Sequence, residues 1–551
     1  MSTSSQRAGA AQADDLFCPA SAIPQAMANH TNTYFGPGGI LSKMESVADI
    51  YPVGQSLLRR GDRLNYYIAL ACVLLVAYFF RSKREKHVEA PFFKAGKLKW
   101  IFDAENQIRA SYNKFYNKVY QIKATEGLQV LIPPSLVGEL KGLPEDVLSA
   151  QEAVREALMS NYTKFSPGEN SELLSALVRT KLTHNLARLV PQLKDELEYI
   201  TATELSECKD WTPVKLQPFA LRTIARLSGR AFVGPSLNRN EEWMQTSIKY
   251  AIDVFLSVVE LQFFPTWMRS VAQHIVPHIR KTRRNVARAR ALLQPILEER
   301  VRDMDAPGFE APDDLLQWVL GSLPEERRTD YQAQTELQLI LSAASIHTTN
   351  SLLVDCFFDL AAETDVQEEL RQEVLEVVAD DDEWSKKDCI PRLKKLDSFI
   401  KEVQRTSGNI TSFIRKVIKP ITLSDGTYLP AGTKLLAPQT GISHDARYFP
   451  EPERFDALRF YRLRQQSDDD ANRHQLTSLS DVNLNFGAGK HACPGRFFAG
   501  NEIKLVLAYF LLHYDMKLRD GQDRPRPVMM MMTKTPNPNV EIEFRRRSSV
   551  E

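Results

Sequence analysis

Between residues 144 and 410, apolar residues recur at helical spacing along most of the chain. EDVLSAQEAVREAL, LLSALVRTKLTHNLARLV, PFALRTIARLSGRAF and EWMQTSIKYAIDVFLSVV each set apolar positions three and four residues apart, the stripe of a 3.6-residue helix. Strand-like alternation is confined to short pieces. One is Leu128–Ile132; another is TSFIRKVIKPITL, which the turn Ser424-Asp425-Gly426-Thr427 closes before the chain resumes at TYLPAGTKLLAP. The pattern predicts a mostly α protein with minor β. No internal repeat and no long Ser/Gly/Pro linker occurs past residue 90, so one large domain is expected. Asp380-Asp381-Asp382-Glu383 reads as a solvated loop between helices, and RKTRRNVARAR (280–290) as one exposed helix face.

A different pattern precedes this domain. Leu64–Phe80, LNYYIALACVLLVAYFF, carries no charge and is apolar around nearly its whole circumference. As a helix it would be about 25 Å long, the lower limit for a membrane span. Tyr66, Tyr67, Tyr78 and Phe79 stand near its ends, and Arg81, Lys83, Arg84 and Lys86 follow at once. Such a basic flank prefers the cytoplasmic side, so a transmembrane anchor at 64–80 with everything downstream in the cytosol is expected. A basic linker (81–95) then leads to the folded domain (96–551). Residues 1–63 are rich in Ser, Ala, Gly, Pro and Asn and read as a disordered, lumenal tail. Asn29-His30-Thr31 would be a glycosylation sequon there, and two more sequons begin at Asn161 and Asn409. A start at Met44 would leave only a short leader.

Charge narrows the function by exclusion. Seventy Lys and Arg against 69 Asp and Glu leave a net charge of +1, without the basic excess that a nucleic-acid binder carries. A mean hydropathy of −0.31 excludes a many-span transporter and leaves room for one anchor. The six cysteines (Cys18, Cys72, Cys208, Cys356, Cys389 and Cys493) are too scattered for a zinc knuckle, a redox pair or a disulfide scaffold. There is no H-E-x-x-H and no G-x-S-x-G. With no flavin or nicotinamide domain visible, any redox chemistry must draw its electrons from elsewhere.

One cysteine stands in an unusual setting. Residues 486–500 read Phe-Gly-Ala-Gly-Lys-His-Ala-Cys-Pro-Gly-Arg-Phe-Phe-Ala-Gly, followed by the helical NEIKLVLAYFLLHY. Gly487 and Gly489 permit φ > 0 and close approach of backbone to a flat ligand. Pro494 sets the chain direction as the helix begins, which leaves Cys493 at a helix N-terminus where free N–H groups favour a charged sulfur. Gly495 removes a side chain from the ligand face, and Phe486 would cover the flank of the sulfur. These are the demands of a thiolate haem ligand. The bland alternative is a buried structural cysteine beside a glycine turn.

The loop resembles the F-x-x-G-x-[RH]-x-C-x-G signature of the cytochrome P450 family, from Phe486 to Gly495, and the resemblance extends over essentially all of residues 90–551. It implies the P450 fold, a single large helical haem domain, with haem b held by Cys493 as axial thiolate. Glu402-Val403-Gln404-Arg405 matches the family's E-x-x-R; residues three apart share a helix face. Pro452-Glu453-Arg454-Phe455 matches its PERF motif, so Glu402, Arg405 and Arg454 are expected to form a buried triad behind the cysteine loop. Ala344-Ser345-Ile346-His347-Thr348-Thr349 falls on the A/G-G-x-D/E-T-T pattern of the distal helix, which assigns Thr348 to oxygen activation and puts His347 where an acid usually stands. A histidine there can relay protons, or merely pack. The W-x-x-x-R that usually serves a haem propionate is missing, with His184 or Arg188 as substitutes. His491 takes the place of the arginine before the cysteine, and Arg415 matches the other propionate-binding arginine.

SIHTT, LTHNLARLVPQL, RLSGRAFVG and FFPTWMR resemble a fungal P450 subgroup that includes ent-kaurene oxidases and oxidases of indole diterpenes. The resemblance therefore implies a monooxygenase that hydroxylates or otherwise oxidises a bulky apolar terpenoid or indole diterpene. Its electrons would come from NADPH-cytochrome P450 reductase, received near Lys490, with cytochrome b5 as an additional donor. The enzyme would sit in the endoplasmic reticulum membrane as a single-pass protein. LQFFPTWM (261–268) fits a membrane-dipping entrance, while Phe413, Ile414 and Met529–Met532 fit pocket walls. Rival readings are oxidation or ring expansion of a polyketide or polyketide–amino acid hybrid, and an isomerase on the P450 fold that does not use O2.

Overall fold

The computed structural model describes residues 88–548, apart from 125–126, 167–169 and 531. The expected tail, the anchor at 64–80, the first part of the basic linker and the sequon at Asn29 lie outside the described residues.

Helices dominate. Those that position the site are α1 (Ser171–Leu177), α2 (Leu186–Glu204), α3 (Leu216–Asn238), α4 (Glu241–Gln262), α5 (Pro277–Asp303), α6 (Tyr331–Ala362), α7 (Lys394–Ser407), α8 (Arg459–Leu463) and α9 (Arg496–His513). Helix α6 has 32 residues, about 48 Å at 1.5 Å per residue. Asp330 caps it by accepting from the Ala333 amide, and Asn240 caps α4 by accepting from Trp243, so each helix starts with an orphan donor satisfied. Although α6 is apolar enough to cross a membrane by composition, 67% of that stretch is buried inside the protein. It is the central core helix. The largest apolar cluster joins residues of α1 to α7 and α9, including Phe357 of α6, Phe399 of α7 and Phe510 of α9. The rings of Phe357 and Phe510 meet edge-on at 5.2 Å, a favoured aromatic geometry.

The β structure is a minor layer. Strands β1 (Phe92–Phe93), β2 (Tyr120–Ala124), β3 (Gly127–Leu131), β4 (Leu148–Ser149), β6 (Ser412–Val417) and β9 (Lys434–Ala437) form one sheet in the order β1-β2-β3-β9-β6-β4. The short strand β5 (Thr212–Lys215) belongs to a separate sheet with β10 (Tyr514–Lys517) and β13 (Glu541–Arg546). Strands β7 (Ile421–Thr422) and β8 (Tyr428–Leu429) make the hairpin around Ser424–Thr427 that the turn residues predict. The remaining pair is β11 (Val528–Met530) with β12 (Thr533–Thr535). The register of β6 against β9 shifts between Ser412 and Arg415, and Phe413 takes φ = +54° at that irregularity. An extra residue in one strand re-aims its side chains, and Arg415 is turned into the interior, 5% exposed. The acidic run 380–383 is solvated and lies between helices, as expected, with Asp380–Asp382 exposed; it is organised as a capped 3₁₀ turn, Asp381–Ser385.

Candidate active site

The loop before Cys493 is built from local turns. The Gly487 amide donates to the Leu484 carbonyl at 2.8 Å, Ala492 to Gly489 at 3.1 Å, and Cys493 back to Phe486 at 2.8 Å. Both Gly487 (φ +74°) and Gly489 (φ +63°) are left-handed, and a Cβ at Gly489 would stand 2.5 Å from the Lys141 carbonyl oxygen. These glycines are therefore required by conformation and by space. Leu484 is itself held by a hydrogen bond from its amide to Gln439 Oε1 at 3.0 Å.

Two residues, Pro494 and Gly495, separate Cys493 from α9; it is exposed, yet burial by the surrounding protein pushes its thiol up. The residue is thus open to solvent and at the same time crowded by protein. The amides of Gly495 and Arg496, and the Arg496 charge, pull its pKa down but do not win. The helix N-terminus favours the thiolate, as the sequence predicts, while desolvation is the larger effect; a bound metal ion would reverse the balance by deprotonating the thiol.

Behind the loop, the charged cluster forms with one member exchanged. Glu402 is fully buried and bonded twice by Arg405, Nε to Oε2 at 2.9 Å and Nη2 to Oε1 at 2.8 Å. The third member is Arg459, at the start of α8, whose Nε lies 3.1 and 3.2 Å from the two Glu402 oxygens. Arg454 is not in the triad. Its side chain is 73% exposed and pairs with Glu451 at 3.3 Å. The backbone turn at 451–454 points Arg454 outward, and only its carbonyl contributes, accepting from Arg459 Nη2 at 3.0 Å. The signal was present as a second Arg-Phe pair, Leu458-Arg459-Phe460, five residues after Arg454-Phe455. Arg405 also donates to the Ser443 and Pro452 carbonyls at 2.7 and 2.8 Å, so the cluster ties α7 to the loop preceding the cysteine segment.

On the distal helix, Thr348 is exposed and its hydroxyl donates to the Ala344 carbonyl at 2.7 Å, and more weakly to Ser345 at 3.4 Å. This back-bond takes up a carbonyl of the helix ladder and leaves a polar atom on an open face beside the small Ala344. His347 points elsewhere. Its Nε2 is 3.1 Å from the Ile248 carbonyl of α4, and burial holds its pKa below the usual histidine value. A neutral imidazole donating to a main-chain carbonyl links α6 to α4, which is the packing alternative of the sequence reading.

Three groups remain around the cysteine loop. Arg415 is buried with only carbonyl acceptors, Ile414 at 2.9 Å and Ala488 at 3.4 Å, and burial lowers its pKa to about 10. His491 Nε2 lies 2.6 Å from Glu145 Oε1. Burial lowers the His491 pKa, against the opposing pull of Glu145. Neither proposed substitute for the missing propionate arginine is here: Arg188 pairs with Asp313 at 2.7 Å and His184 is exposed. The residue the sequence reading missed is Arg179, in the π turn Val178–Leu182 after α1, whose charge acts on both His491 and Arg496.

These residues fit a haem. A buried guanidinium with no carboxylate bonded to it suits a propionate, and a Cβ at Gly495 would find only Val178, at 3.8 Å, so the face before α9 is open to a flat ligand. Cys493 would ligate the iron, while Arg415, Arg179 and His491 would stand at its carboxylates. Met529 and Met532 pack partly buried beside Ile410, and Ile414 is 41% exposed.

Comparison with known proteins speaks to the family and the fold. The sequence model of the family described as Cytochrome P450 matches residues 147–544. The chain is 36% identical over 482 residues to the cytochrome P450 monooxygenase AN1598 of Emericella nidulans, covering 84% of this chain and 89% of that one. It is 35% identical over 438 residues to the ent-kaurene oxidase of Gibberella intermedia, covering 78% and 81%. The structure of retinoic acid-bound cyanobacterial CYP120A1 superposes with a TM-score of 0.63 over 83% of this chain and 99% of the other, at 18% identity. This last likeness speaks to the fold alone.

Proposed function

The chain belongs to the cytochrome P450 family, as a monooxygenase with a haem-thiolate cofactor, and we propose that it oxidises a bulky, mostly apolar terpenoid of secondary metabolism. The observation that carries the substrate reading is its similarity to two ent-kaurene oxidases of Gibberella, 35% and 34% identical over 78% of this chain. The haem, when bound, supplies the O2 chemistry that no side chain of this protein can perform. The protein's own part is positional and electrostatic. Cys493 presents its sulfur from a loop that the Glu402–Arg405–Arg459 cluster braces. Thr348 holds an exposed hydroxyl on the distal face, in place to pass a proton. Arg415 and its neighbours counter the carboxylates of the cofactor.

In this reading electrons come from NADPH-cytochrome P450 reductase, with cytochrome b5 as an additional donor, and the enzyme sits on the cytosolic face of the endoplasmic reticulum membrane. Its support is an exposed apolar set between α4 and α5: Phe263, Trp267, Val271 and Ile275 are 58%, 49%, 70% and 59% exposed. Soluble surfaces rarely group large apolar side chains so closely. The decisive experiment uses microsomes containing the full chain and the reductase, supplied with ent-kaurene, indole diterpenes and polyketide scaffolds. A product from a terpenoid that requires both NADPH and O2 is expected. Conversion of polyketides alone, or turnover without NADPH or O2, would overturn the proposal.

A further inference from the structure

Asp355 and Asp359 stand four residues apart on one face of α6 and are 7% and 5% exposed. Like charges at that spacing repel, and burial adds to the cost. Burial raises the pKa of both, and Arg524 opposes it in both. That arginine comes from outside the helix, 165 residues from Asp359 along the chain. Its Nη2 donates to Asp359 Oδ2 at 3.1 Å and to Asp355 Oδ1 at 3.2 Å, and its Nε donates to Asp359 as well. The same Nη2 reaches Ser407 Oγ, at the end of α7, at 2.9 Å. One guanidinium thus joins the central helix to the C-terminus of α7.

Arg524 leads directly into the β11–β12 hairpin. The link reads Arg524-Pro525-Arg526-Pro527-Val528, and its two prolines leave it few conformations, so holding Arg524 also holds the strand that follows. The second strand is held as well. Lys534 of β12 donates to Glu105 Oε1 at 2.9 Å and to the Thr406 carbonyl at 3.3 Å. Both cations therefore end on the last turn of α7, where the carbonyls and the helix dipole favour positive charge. Between the two anchors, Met529 and Met532 pack beside Ile410, and Met532 Sδ is 4.0 Å from Thr411 Oγ1. The anchor on α6 has a definite place too. Seven and eleven residues at about 100° each bring Asp355 and Asp359 back to within about 20° of Thr348. They continue its stripe, with Asp355 about 10 Å further along the axis.

We propose that Arg524 and Lys534 are positioning residues: by fixing the β11–β12 hairpin against α6 and α7 they set the width of the distal site, and with it the substrate carbon that is oxidised. The frame is ionic and stiff. The wall it carries is of methionine, a side chain that adapts to irregular apolar shapes. A bulky apolar molecule would thus meet a surface that yields in detail and stays put as a whole. Neither cation touches the substrate, since each acts through the methionines between them. The choice of carbon rests on the monooxygenase reading; the width of the site does not.

The test uses haem-loaded full-length protein and the variants Arg524→Gln, Arg524→Lys, Asp359→Asn and Lys534→Gln. Arg526→Gln, an exposed side chain of the same link, is the control. Two nitrogen ligands of haem iron serve as gauges, read from the shift of the Soret band: imidazole, which is small, and clotrimazole, which fills a wide site. Imidazole should bind every variant as it binds the wild type. Clotrimazole should bind Arg524→Gln and Lys534→Gln about 10-fold more weakly, the factor of a lost apolar contact in a pocket. Arg524→Lys, which restores the charge without the fork, should recover part of that loss. Adding Asp359→Asn to Arg524→Gln should cost nothing more, because the two act through one contact, and additive losses would contradict the link. With reductase, NADPH and ent-kaurene, the ratio of products oxidised at different carbons should change in Arg524→Gln and Lys534→Gln and stay at the wild-type value in Arg526→Gln. Clotrimazole binding that is unchanged or tighter, or that weakens in step with imidazole as a general disturbance of the haem would make it, overturns the proposal. If Arg524→Gln fails to take up haem, Lys534→Gln decides the outcome. If the wild type yields no product from ent-kaurene or any other terpenoid, the substrate reading is what fails, and the two azoles still decide whether the cations set the width of the site.

Discussion

Arg454 and Arg459 stand five residues apart, one in a turn and the other at the start of α8, and only Arg459 meets Glu402. The consequence is measurable. Arg459→Ala would leave a fully buried carboxylate with Arg405 as its one remaining cation, a loss of about 1.5–3 kcal/mol by the usual worth of a hydrogen bond to a charged group. Arg454→Ala removes an exposed side chain and should stay within about 0.5 kcal/mol. Thermal melts of the two holoproteins check this, and equal melting temperatures would contradict the assignment. Cys493→Ala should abolish the thiolate-type absorption band of the reduced carbon monoxide complex, because Cys493 is the only exposed cysteine among the described residues; a retained band would contradict Cys493 as the ligand. Cys493 was legible in the sequence because its setting is local: glycines, proline and helix start all lie within ten residues. The triad partner was not, because E-R-F and L-R-F are alike as text and only the backbone turn decides which side chain points inward.

Elements matter through the loops that join them. The segment leading to α9 is pinned at its far end to α7, where Asn485 Oδ1 accepts from the Asn409 amide at 3.2 Å and a Cβ on Gly408 would meet that same oxygen at 2.6 Å. Gly489→Ala should be among the most damaging single-methyl changes in the protein. It would place a side chain at φ +63° against a main-chain oxygen, which cannot swing away as a side chain could. The expected result is a clear loss of haem per polypeptide, read from the ratio of Soret to protein absorbance. Gly521→Ala is the control, since it shares a positive φ of 78° but meets nothing within 4 Å, and should load haem normally. Helix types and the β7–β8 hairpin follow from periodicity and turn residues. The inward aim of Arg415 depends on a register shift between two strands, which no single segment encodes.

At the scale of the whole molecule, buried titratable groups set the pH range of stability. Burial depresses His347, His444 and His513, so below about 6.5 the unfolded chain binds more protons than the folded one and stability falls with pH. Asp355 and Glu502 act in the opposite sense. Burial raises them to about 6 and about 8, so their contribution is whole below the ordinary carboxyl range and is lost as pH rises through those values. The melting temperature should therefore peak near pH 6.5 and decline towards 8. Glu502→Gln should remove one proton's share of the decline over the whole interval from the ordinary carboxyl range to about pH 8, so the fall from pH 6.5 to 8 flattens and the rise from pH 5.5 to 6.5 steepens, which melts at pH 5.5, 6.5 and 8 would check; a decline above pH 6.5 as steep as the wild type's would contradict it. Family membership, a mostly helical fold and the cysteine motif that makes Cys493 the candidate ligand were legible in the sequence by itself, because each rests on short-range periodicity or on one contiguous motif. The tertiary structure alone decided that Arg459 completes the triad, that Arg179 stands near the cysteine loop and that His347 turns to α4. It alone joined Glu502 to Ser228, 274 residues away, and Ser228 to Ser345, 117 residues away. The physical reason is the same in each case: a side chain's partner depends on which helix faces packing brings together, and that is a property of the assembled core.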